Sequence, residues 1–278
     1  MADFVDLHIH TDHSDGRQSP RQAVDWALAL GLKAISITDH DTISGYLEAQ
    51  AYAQGKEVEV IAGIELSATR TDEDIHILGY LFRPDYPRLG ETLERFRQIR
   101  YDRGKKMLER LARLDVIIDY ADVLKAAGDA PVGRPHIADI LLKAGYVTSY
   151  DEAFRKYLEL GGPAYVPKAK LMPDEAIDLI HEAGGVAVMA HPALTGHDEI
   201  IDDMVAAGLD GIEIVHPSHS RSDRKRYRQL ARRHGLFCTG GSDSHKRPGR
   251  YGEIGEGQVS YEMLTNMQAA WRARAGRH

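Results

Sequence analysis

Two histidines near the start of the chain, His8 and His10, lie two residues apart at a stretch typical of a β-strand, residues 4–9. Side chains alternate faces along a strand, so both imidazoles point to the same side. Asp15 follows five residues after His10. Two imidazoles and a nearby carboxylate suit a divalent metal ion. Because a His-x-His pair also occurs by chance, this interpretation depends on ligands elsewhere in the chain.

Groups of the same chemistry recur at or beside six other predicted strands. In chain order they are His40, Glu65, His76, His191, His216 and the pair Asp243 and His245. The carboxyl ends of parallel strands meet at one mouth of an α/β barrel, so we expect these groups to converge. They offer nitrogen and oxygen but no thiolate, which favours manganese, iron, zinc or magnesium over copper(I) or an iron–sulfur cluster.

Short apolar strands, separated mostly by helical patterns, position these residues. The strands are predicted at residues 4–9, 34–38, 58–62, 75–81, 186–190, 211–215 and 236–239. Ser19 and Pro20 are typical of a helix cap and first helical position, and predict a helix over residues 20–30. The alternation is typical of parallel βα units, and the polar residues after the strands favour a closed barrel over an open sheet.

Residues 83–170 lack a strand pattern and predict a helical insertion after the fourth strand. Its amphipathic helices are expected at 89–114, 120–127, 135–144 and 151–158. The barrel would then consist of residues 1–82 and 171–278. The last residues, 272–278, are expected to fray.

Composition narrows the class of protein. With 35 basic and 42 acidic residues among 278, the net charge of −7 argues against stable binding of duplex nucleic acid, although bound metals could still hold an anionic substrate. The single cysteine, Cys238, excludes an intrachain disulfide and is expected to be a core thiol. No apolar stretch reaches the length of a membrane span and no signal segment is visible, so a soluble cytoplasmic protein is expected.

Six short motifs occur in order along nearly the whole chain. They are His8-x-His10, Ser14-Asp15-Gly16, Thr38-Asp39-His40-Asp41, Gly63-Ile64-Glu65, Ala190-His191-Pro192 and Ser242-Asp243-Ser244-His245. This run resembles the PHP (polymerase and histidinol phosphatase) family. The resemblance implies a distorted seven-stranded (β/α)7 barrel, a cluster of two or three divalent metals, and hydrolysis of phosphoesters.

The same resemblance implies a set of metal ligands. By position, the first metal would be held by His8, His10, Glu65 and Asp243. Glu65 would bridge to a second metal, completed by His76 and His191. The third would be held by Asp15, His40 and His245. Manganese is the favoured metal, and the nucleophile would be a metal-bound hydroxide, with Asp243 accepting the proton that the bound water gives up. Asp39 and Asp41 are expected to orient ligands.

Asp15 separates two branches of the family, since the histidinol-phosphatase branch has a histidine at that position. The aspartate is similar to the branch that hydrolyses nucleoside 3′,5′-bisphosphates and trims short RNA from the 5′ end. That branch carries an Arg-x-His pair in its insertion, matched by Arg134 and His136, which would grip substrate phosphate and make the insertion a substrate cap. Lys168, Ser218 and His219 match further positions of this branch and are candidate substrate contacts.

The leading interpretation is thus a metal-dependent phosphoesterase acting on a small nucleotide or the 5′ end of a short RNA. A histidinol-phosphate phosphatase is the nearest alternative, and Asp15 disfavours it. A non-catalytic or proofreading PHP module is another, disfavoured by the intact ligand set. The basic run within residues 221–233 is interpreted as the solvated face of an outer helix, with RNA steering as the alternative. Arg100 and Arg103, in a second basic run, could face the cleft.

Overall fold

The computed structural model describes residues 3–70, 73–167, 171–246 and 252–276. The strands in this part of the chain are β1 (Phe4–Ile9), β2 (Ala34–Ile37), β3 (Glu59–Ile61), β4 (Gly63–Arg70), β5 (Glu73–Tyr80), β6 (Val186–Met189), β7 (Gly211–Val215), β8 (Phe237–Gly240) and β9 (Val259–Ser260). The α-helices are α1 (Pro20–Ala29), α2 (Ser44–Tyr52), α3 (Pro87–Ala112), α4 (Tyr120–Ala127), α5 (Arg134–Lys143), α6 (Tyr150–Ala153), α7 (Pro173–Glu182), α8 (Glu199–Ala206), α9 (Arg221–His234) and α10 (Tyr261–Ala275).

The strands form two sheets, in the orders β3-β2-β1-β9 and β4-β5-β6-β7-β8. Strands β4, β5 and β6 pair antiparallel, whereas β6, β7 and β8 pair parallel, as do β1, β2 and β3. The α/β class is confirmed, but the predicted closed (β/α)7 barrel is not, because no continuous ladder joins the two sheets within the described residues. Isolated bridges connect them instead, from Ile9 to Ser244 and from His40 to Glu65.

Strand β4 was missing from the sequence prediction, which placed Glu65 just after the third strand. The segment has the two-residue period of a half-buried strand, since Ile64, Leu66 and Ala68 are fully buried in the core. Glu65 and Ser67 therefore point to the other face, toward the polar cavity that both residues line. A long hairpin with β5 results, and it is the reason that this sheet is not all parallel.

The carboxyl-terminal helix also differs from prediction, because α10 continues to Ala275 and does not fray from residue 272. Two contacts secure its last turns. The Trp271 indole donates to the Gly184 carbonyl over 2.8 Å, and Arg274 lies 3.2 Å from Asp210. Pairing of this kind outweighs the tendency of chain ends to fray. At the other end of the chain, α1 begins as predicted, with the Ser19 side chain accepting from the Gln22 amide.

The long helix α3 takes part in two separate hydrophobic clusters. Its first half contributes Leu89 and Phe96 to the core around the sheets. Its second half contributes Met107 and Leu111 to a cluster formed with α4, α5 and α6. At 1.5 Å per residue, its 26 residues extend about 39 Å, which is long enough to connect both clusters. No described helix, α3 included, is long and apolar enough to cross a membrane.

Candidate metal centre

The predicted metal ligands come together at one cavity, at the carboxyl ends of β1, β2, β6 and β8 and on the β4–β5 hairpin. Those that line the cavity are Asp15, His40, Glu65, His76, His191, Asp243 and His245. His8 and His10 lie directly behind them and are fully buried. The cavity encloses about 930 Å³ of space between protein atoms, including its open mouth.

Four candidate ligand atoms, from His8, His10, Glu65 and Asp243, lie close together at the carboxyl end of β1. His8 Nε2 and His10 Nε2 are 3.1 Å apart. Glu65 Oε2 lies 3.4 and 3.1 Å from these two nitrogens, and Asp243 Oδ1 lies 3.3 and 3.0 Å from them. All four atoms lie within 4.8 Å of one another, which is close enough for several of them to bind one ion at the roughly 2 Å that zinc keeps to nitrogen and oxygen ligands. The residues present therefore fit a divalent cation.

The two oxygens of Glu65 face different histidines. Oε1 lies 2.8 Å from His76 Nδ1 and 3.0 Å from His191 Nε2. Oε2 faces the other three atoms of the first set and also lies 3.2 Å from His40 Nδ1. Each oxygen of the Glu65 carboxylate thus contacts a different group of candidate ligands. A second compact set consists of His40, Glu65 and His76, and His40 also belongs to the third set, where the sequence prediction placed it. His191, which was predicted for the second set, lies beside it through its contact with Glu65.

A third set of donors surrounds Asp15. Its Oδ1 lies 3.1 Å from His245 Nε2 and 4.0 Å from His40 Nε2. His10 Nδ1 also lies 4.0 Å from this oxygen, so that His10 faces two sets with its two ring nitrogens. The three sets overlap through shared residues, and such sharing is typical of a cluster of metals rather than separate sites.

Several side chains of this cluster have pKa values far from their ordinary ones. Burial raises the pKa of Glu65, but the charges of His40 and His76 outweigh it and hold this pKa well below its usual range. Burial lowers the pKa of His10, yet hydrogen bonds and charges of Asp243 and Glu65 raise it to about 10. Burial also holds the pKa of His40 well below its ordinary value. The carboxylates are therefore ionised, and cations, either protons or metals, must balance them.

Asp39 orients the loop that carries Asp15, as predicted for a residue beside the ligands. Its carboxylate accepts from the Thr11 amide over 2.7 Å, from the Thr11 hydroxyl over 2.6 Å and from the Ser14 hydroxyl over 2.6 Å. Asp41 acts elsewhere, since it accepts from the Ser67 amide over 2.8 Å and from Arg100 Nε over 2.9 Å.

Sequence reasoning missed Glu213, which lies fully buried in the middle of β7. Its Oε1 lies 3.0 Å from His8 Nδ1, and its Oε2 accepts from the His191 amide over 2.8 Å. The sequence did contain an indication of this role, namely a carboxylate inside the apolar strand Gly-Ile-Glu-Ile-Val, because a buried charge requires polar partners.

His216, Ser218 and His219 lie behind Asp243 rather than in the cavity. The Ser218 amide donates to His216 Nδ1 over 3.1 Å, so that Nε2 carries the proton and donates to Asp243 Oδ2 over 3.1 Å. His219 is buried with Nδ1 3.1 Å from the Ile214 carbonyl. Neither Ser218 nor His219 lines the cavity, so the structure does not bring these two predicted substrate contacts to the metal ligands.

Of the predicted Arg-x-His pair, Arg134 and His136 both line the cavity. The Arg134 guanidinium lies 5.7 Å from the Phe154 ring and 3.3 Å from Asp74. His136 is engaged within the protein, because Nδ1 accepts from the Gly133 amide over 3.0 Å and Nε2 therefore donates to the Ser14 carbonyl over 2.9 Å. Its geometry favours a positioning role over the predicted phosphate contact. Lys168 lies outside the described residues.

Two arginines of α3 face the same cavity, Arg100 and Arg103. Arg100 is paired with Asp41, whereas Arg103 donates from Nε to the Val166 carbonyl over 2.7 Å. Arg103 is only 6% exposed, and its buried Nη2 has no partner within the described residues. Burial and the nearby Arg134 lower the pKa of Arg103 to about 10. No basic residue of α9 lines the cavity.

Residues 6–166 match the PHP domain, and they form more than half of the chain. The chain belongs to the PHP family. A 3′,5′-nucleoside bisphosphate phosphatase from Chromobacterium violaceum is 34% identical to this PHP protein over 254 residues, 89% of each chain. A 5′-3′ exoribonuclease from Haemophilus influenzae is 34% identical over 250 residues, 88% of this chain and 91% of the relative.

Comparison with solved structures leads to the same class of protein as comparison of sequences. A protein from Bifidobacterium adolescentis, assigned as a metal-dependent phosphoesterase, superposes on this PHP protein with a TM-score of 0.88 at 33% identity, and 97% of each chain is covered. The predicted family and enzyme class, a metal-dependent phosphoric ester hydrolase, are therefore confirmed. The predicted dependence on divalent metals is supported in general by these relatives and by the donor sets.

Proposed function

We propose that this PHP protein hydrolyses phosphate esters of small nucleotides, either nucleoside 3′,5′-bisphosphates or the 5′ ends of short RNA. The observation that carries the proposal is the composition of one cavity, in which the metal-ligand sets adjoin the guanidinium groups of Arg103 and Arg134. A substrate with two phosphates can place one at the metals and the other at the arginines. A forked guanidinium suits phosphate oxygens, and Nη2 of Arg103 has no hydrogen-bond partner among the residues that the structure describes.

The metal content that we propose is two or three divalent ions, with manganese favoured. Three overlapping donor sets support up to three positions, and their mixed imidazole and carboxylate chemistry suits manganese, iron, zinc or magnesium. His8, His10, Glu65 and Asp243 would hold one ion, and the sets around His76 and Asp15 would hold the others. When bound, the ions supply an activated water and neutralise charge on the phosphate and the departing oxygen.

The protein's own groups have separate roles in this proposal. Asp243 would accept a proton through its carboxylate, while His216 holds Oδ2 by donating from Nε2 over 3.1 Å. Arg103 and Arg134 would bind the second phosphate. Phe154, which lines the cavity beside Arg134, would offer an apolar face to the nucleoside. Because α3 and α5 supply the two arginines and Phe154 lies in the same insertion, residues 83–170 would act as a substrate cap on the remaining domain, residues 1–82 and 171–278.

A phosphate-release screen with manganese tests the proposed substrate class. The panel contains an adenosine 3′,5′-bisphosphate, the two corresponding monophosphates, histidinol phosphate, and a short RNA with a 5′-phosphate or a 5′-hydroxyl. We expect kcat/KM for the bisphosphate to exceed that of either monophosphate by about tenfold or more, since the second phosphate gains a charge-assisted contact of 1.5–3 kcal/mol by typical values. A preference for histidinol phosphate, or equal rates on bisphosphate and monophosphate, would overturn the proposal.

A further inference from the structure

Glu213 is a buried carboxylate that contacts two ligand candidates but belongs to none of the three donor sets. It lies at the centre of β7, between Ile212 and Ile214, and both it and its neighbours are completely buried. An ionised carboxylate in such surroundings is costly unless its oxygens are fully used. Both oxygens of Glu213 are used, and each partner is a histidine from a different strand end.

The first partner is the imidazole of His8. Glu213 Oε1 lies 3.0 Å from Nδ1, and because a carboxylate only accepts, the proton of the neutral ring is held on Nδ1. The lone pair of Nε2 then faces His10, Glu65 and Asp243, at 3.1, 3.4 and 3.3 Å respectively. The contact thus selects the tautomer that can bind a cation.

The second partner is the backbone of His191. This residue has φ of 26° and ψ of 58°, a left-handed conformation that side chains other than glycine rarely adopt. Glu213 Oε2 accepts its amide proton over 2.8 Å and so stabilises the strained turn. In that conformation the ring projects into the cavity and brings Nε2 to 3.0 Å from Glu65 Oε1.

We propose that Glu213 is a positioning residue that links two metal positions, by setting the tautomer of His8 and the backbone of His191 with one carboxylate. A carboxylate is required because both contacts need an acceptor. The amide of a glutamine has one acceptor and one donor group, so it satisfies only one of the two histidines. The inference rests on the proposed ligand roles of His8 and His191, and it is independent of the substrate.

The test compares Glu213→Gln and Glu213→Asp with the wild-type protein by metal retention. Each protein is loaded with Mn²⁺, dialysed against a graded series of chelator, and analysed for metal per chain. Ser36→Ala is the matched control, since it removes a buried hydrogen bond, 3.2 Å from the Ser36 hydroxyl to the Ile61 carbonyl, that involves no ligand candidate. His8→Ala is the reference for loss of a ligand.

We expect Glu213→Gln to bind Mn²⁺ 10- to 100-fold more weakly, as is typical when a group that orients a metal-binding histidine is lost. Glu213→Asp has a side chain one methylene shorter, so it should also bind Mn²⁺ more weakly. This variant provides the test if the glutamine variant does not fold. The melting temperature adds a second measurement. The rise that Mn²⁺ causes should shrink in both variants, whereas Ser36→Ala should lower the melting temperature of the metal-free protein and keep the full rise.

Two outcomes separate this inference from the proposed function. If both Glu213 variants retain Mn²⁺ within twofold of wild type while His8→Ala loses it, the positioning role is wrong and the phosphoesterase proposal stands. If His8→Ala retains all its Mn²⁺, the ligand set itself is wrong, and both proposals fall together.

Discussion

The Nε2 atom of His136 donates a hydrogen bond to the Ser14 carbonyl over 2.9 Å, which joins helix α5 to the loop that carries Asp15. A second contact runs in parallel, from Arg17 to Asp139 over 2.8 Å, but it lies at the surface. The helical segment that supplies Arg134 is therefore attached to Ser14, the residue that precedes the candidate metal ligand Asp15. A shift in the position of helix α5 is therefore expected to move the loop that carries Asp15.

His136→Ala should weaken metal retention at the Asp15 set and destabilise the protein by about 1–3 kcal/mol, because two buried backbone groups lose their partner. Asp139→Asn is the control, since a surface ion pair contributes about 1 kcal/mol or less. Metal analysis and urea unfolding measure the two effects. Wild-type metal content in His136→Ala would contradict the positioning role.

Glu65→Ala should lose more than one metal ion per chain. Its two oxygens contact His76 and His191 on one side and His40 on the other, so its removal takes a ligand from two of the three donor sets. Glu73→Ala, on the partner strand of the same hairpin, is the control. Elemental analysis after dialysis against manganese buffer checks the result, and full metal content in Glu65→Ala would exclude a bridging role.

Arg103→Met should lower kcat/KM on a nucleoside bisphosphate by about 10- to 100-fold, the equivalent of one or two charge-assisted contacts. The loss should be smaller on a monophosphate, because only the second phosphate is proposed to reach this side chain. Metal content should not change. Arg97→Met, at an exposed position of the same helix, provides the control. Equal losses on both substrates would show that Arg103 acts in folding rather than in recognition.

Metal binding should release protons and strengthen as the pH rises. Neighbouring carboxylates raise the pKa of His10 from 6.5 to about 10 despite burial, so this ring is protonated in the metal-free protein at neutral pH. A metal must displace that proton before it binds. Calorimetry in buffers of different ionisation enthalpy measures the protons released per ion. A binding constant independent of pH between 6 and 9 would contradict the assignment.

The raised pKa of His10 also affects the stability of the metal-free protein, which should fall as the pH rises. A group whose folded pKa lies above its unfolded value stabilises the fold at low pH, so the contribution of His10 is complete below pH 6.5 and is lost toward pH 10. Urea unfolding of the metal-free protein across this range should show stability falling with pH, and His10→Gln should flatten that slope. A slope unchanged by the substitution would assign it to other groups.

Much of the candidate site could be predicted from local sequence. The His8-x-His10 spacing places two rings on one face because strands alternate, and the residues after β2, β6 and β8 converge because parallel strands share a carboxyl end. The helices of the 83–170 segment were predicted to within two residues at most ends, since their apolar period and caps are local properties. Family membership followed from the order of these motifs.

Tertiary structure decided which groups touch. Glu65 reaches five histidines only because β4 follows β3 and forms a hairpin with β5, which gives Glu65 a place on the strand face that points into the cavity. Glu213 and Arg103 acquire their roles from partners distant in sequence, and no spacing rule connects them to the ligands. The sequence determined the types of donor available and the strands that carry them. Packing of two separate sheets determined which donors lie close enough to share a cation, because only the fold brings His10, beside β1, to 3.1 Å from Glu65 on β4.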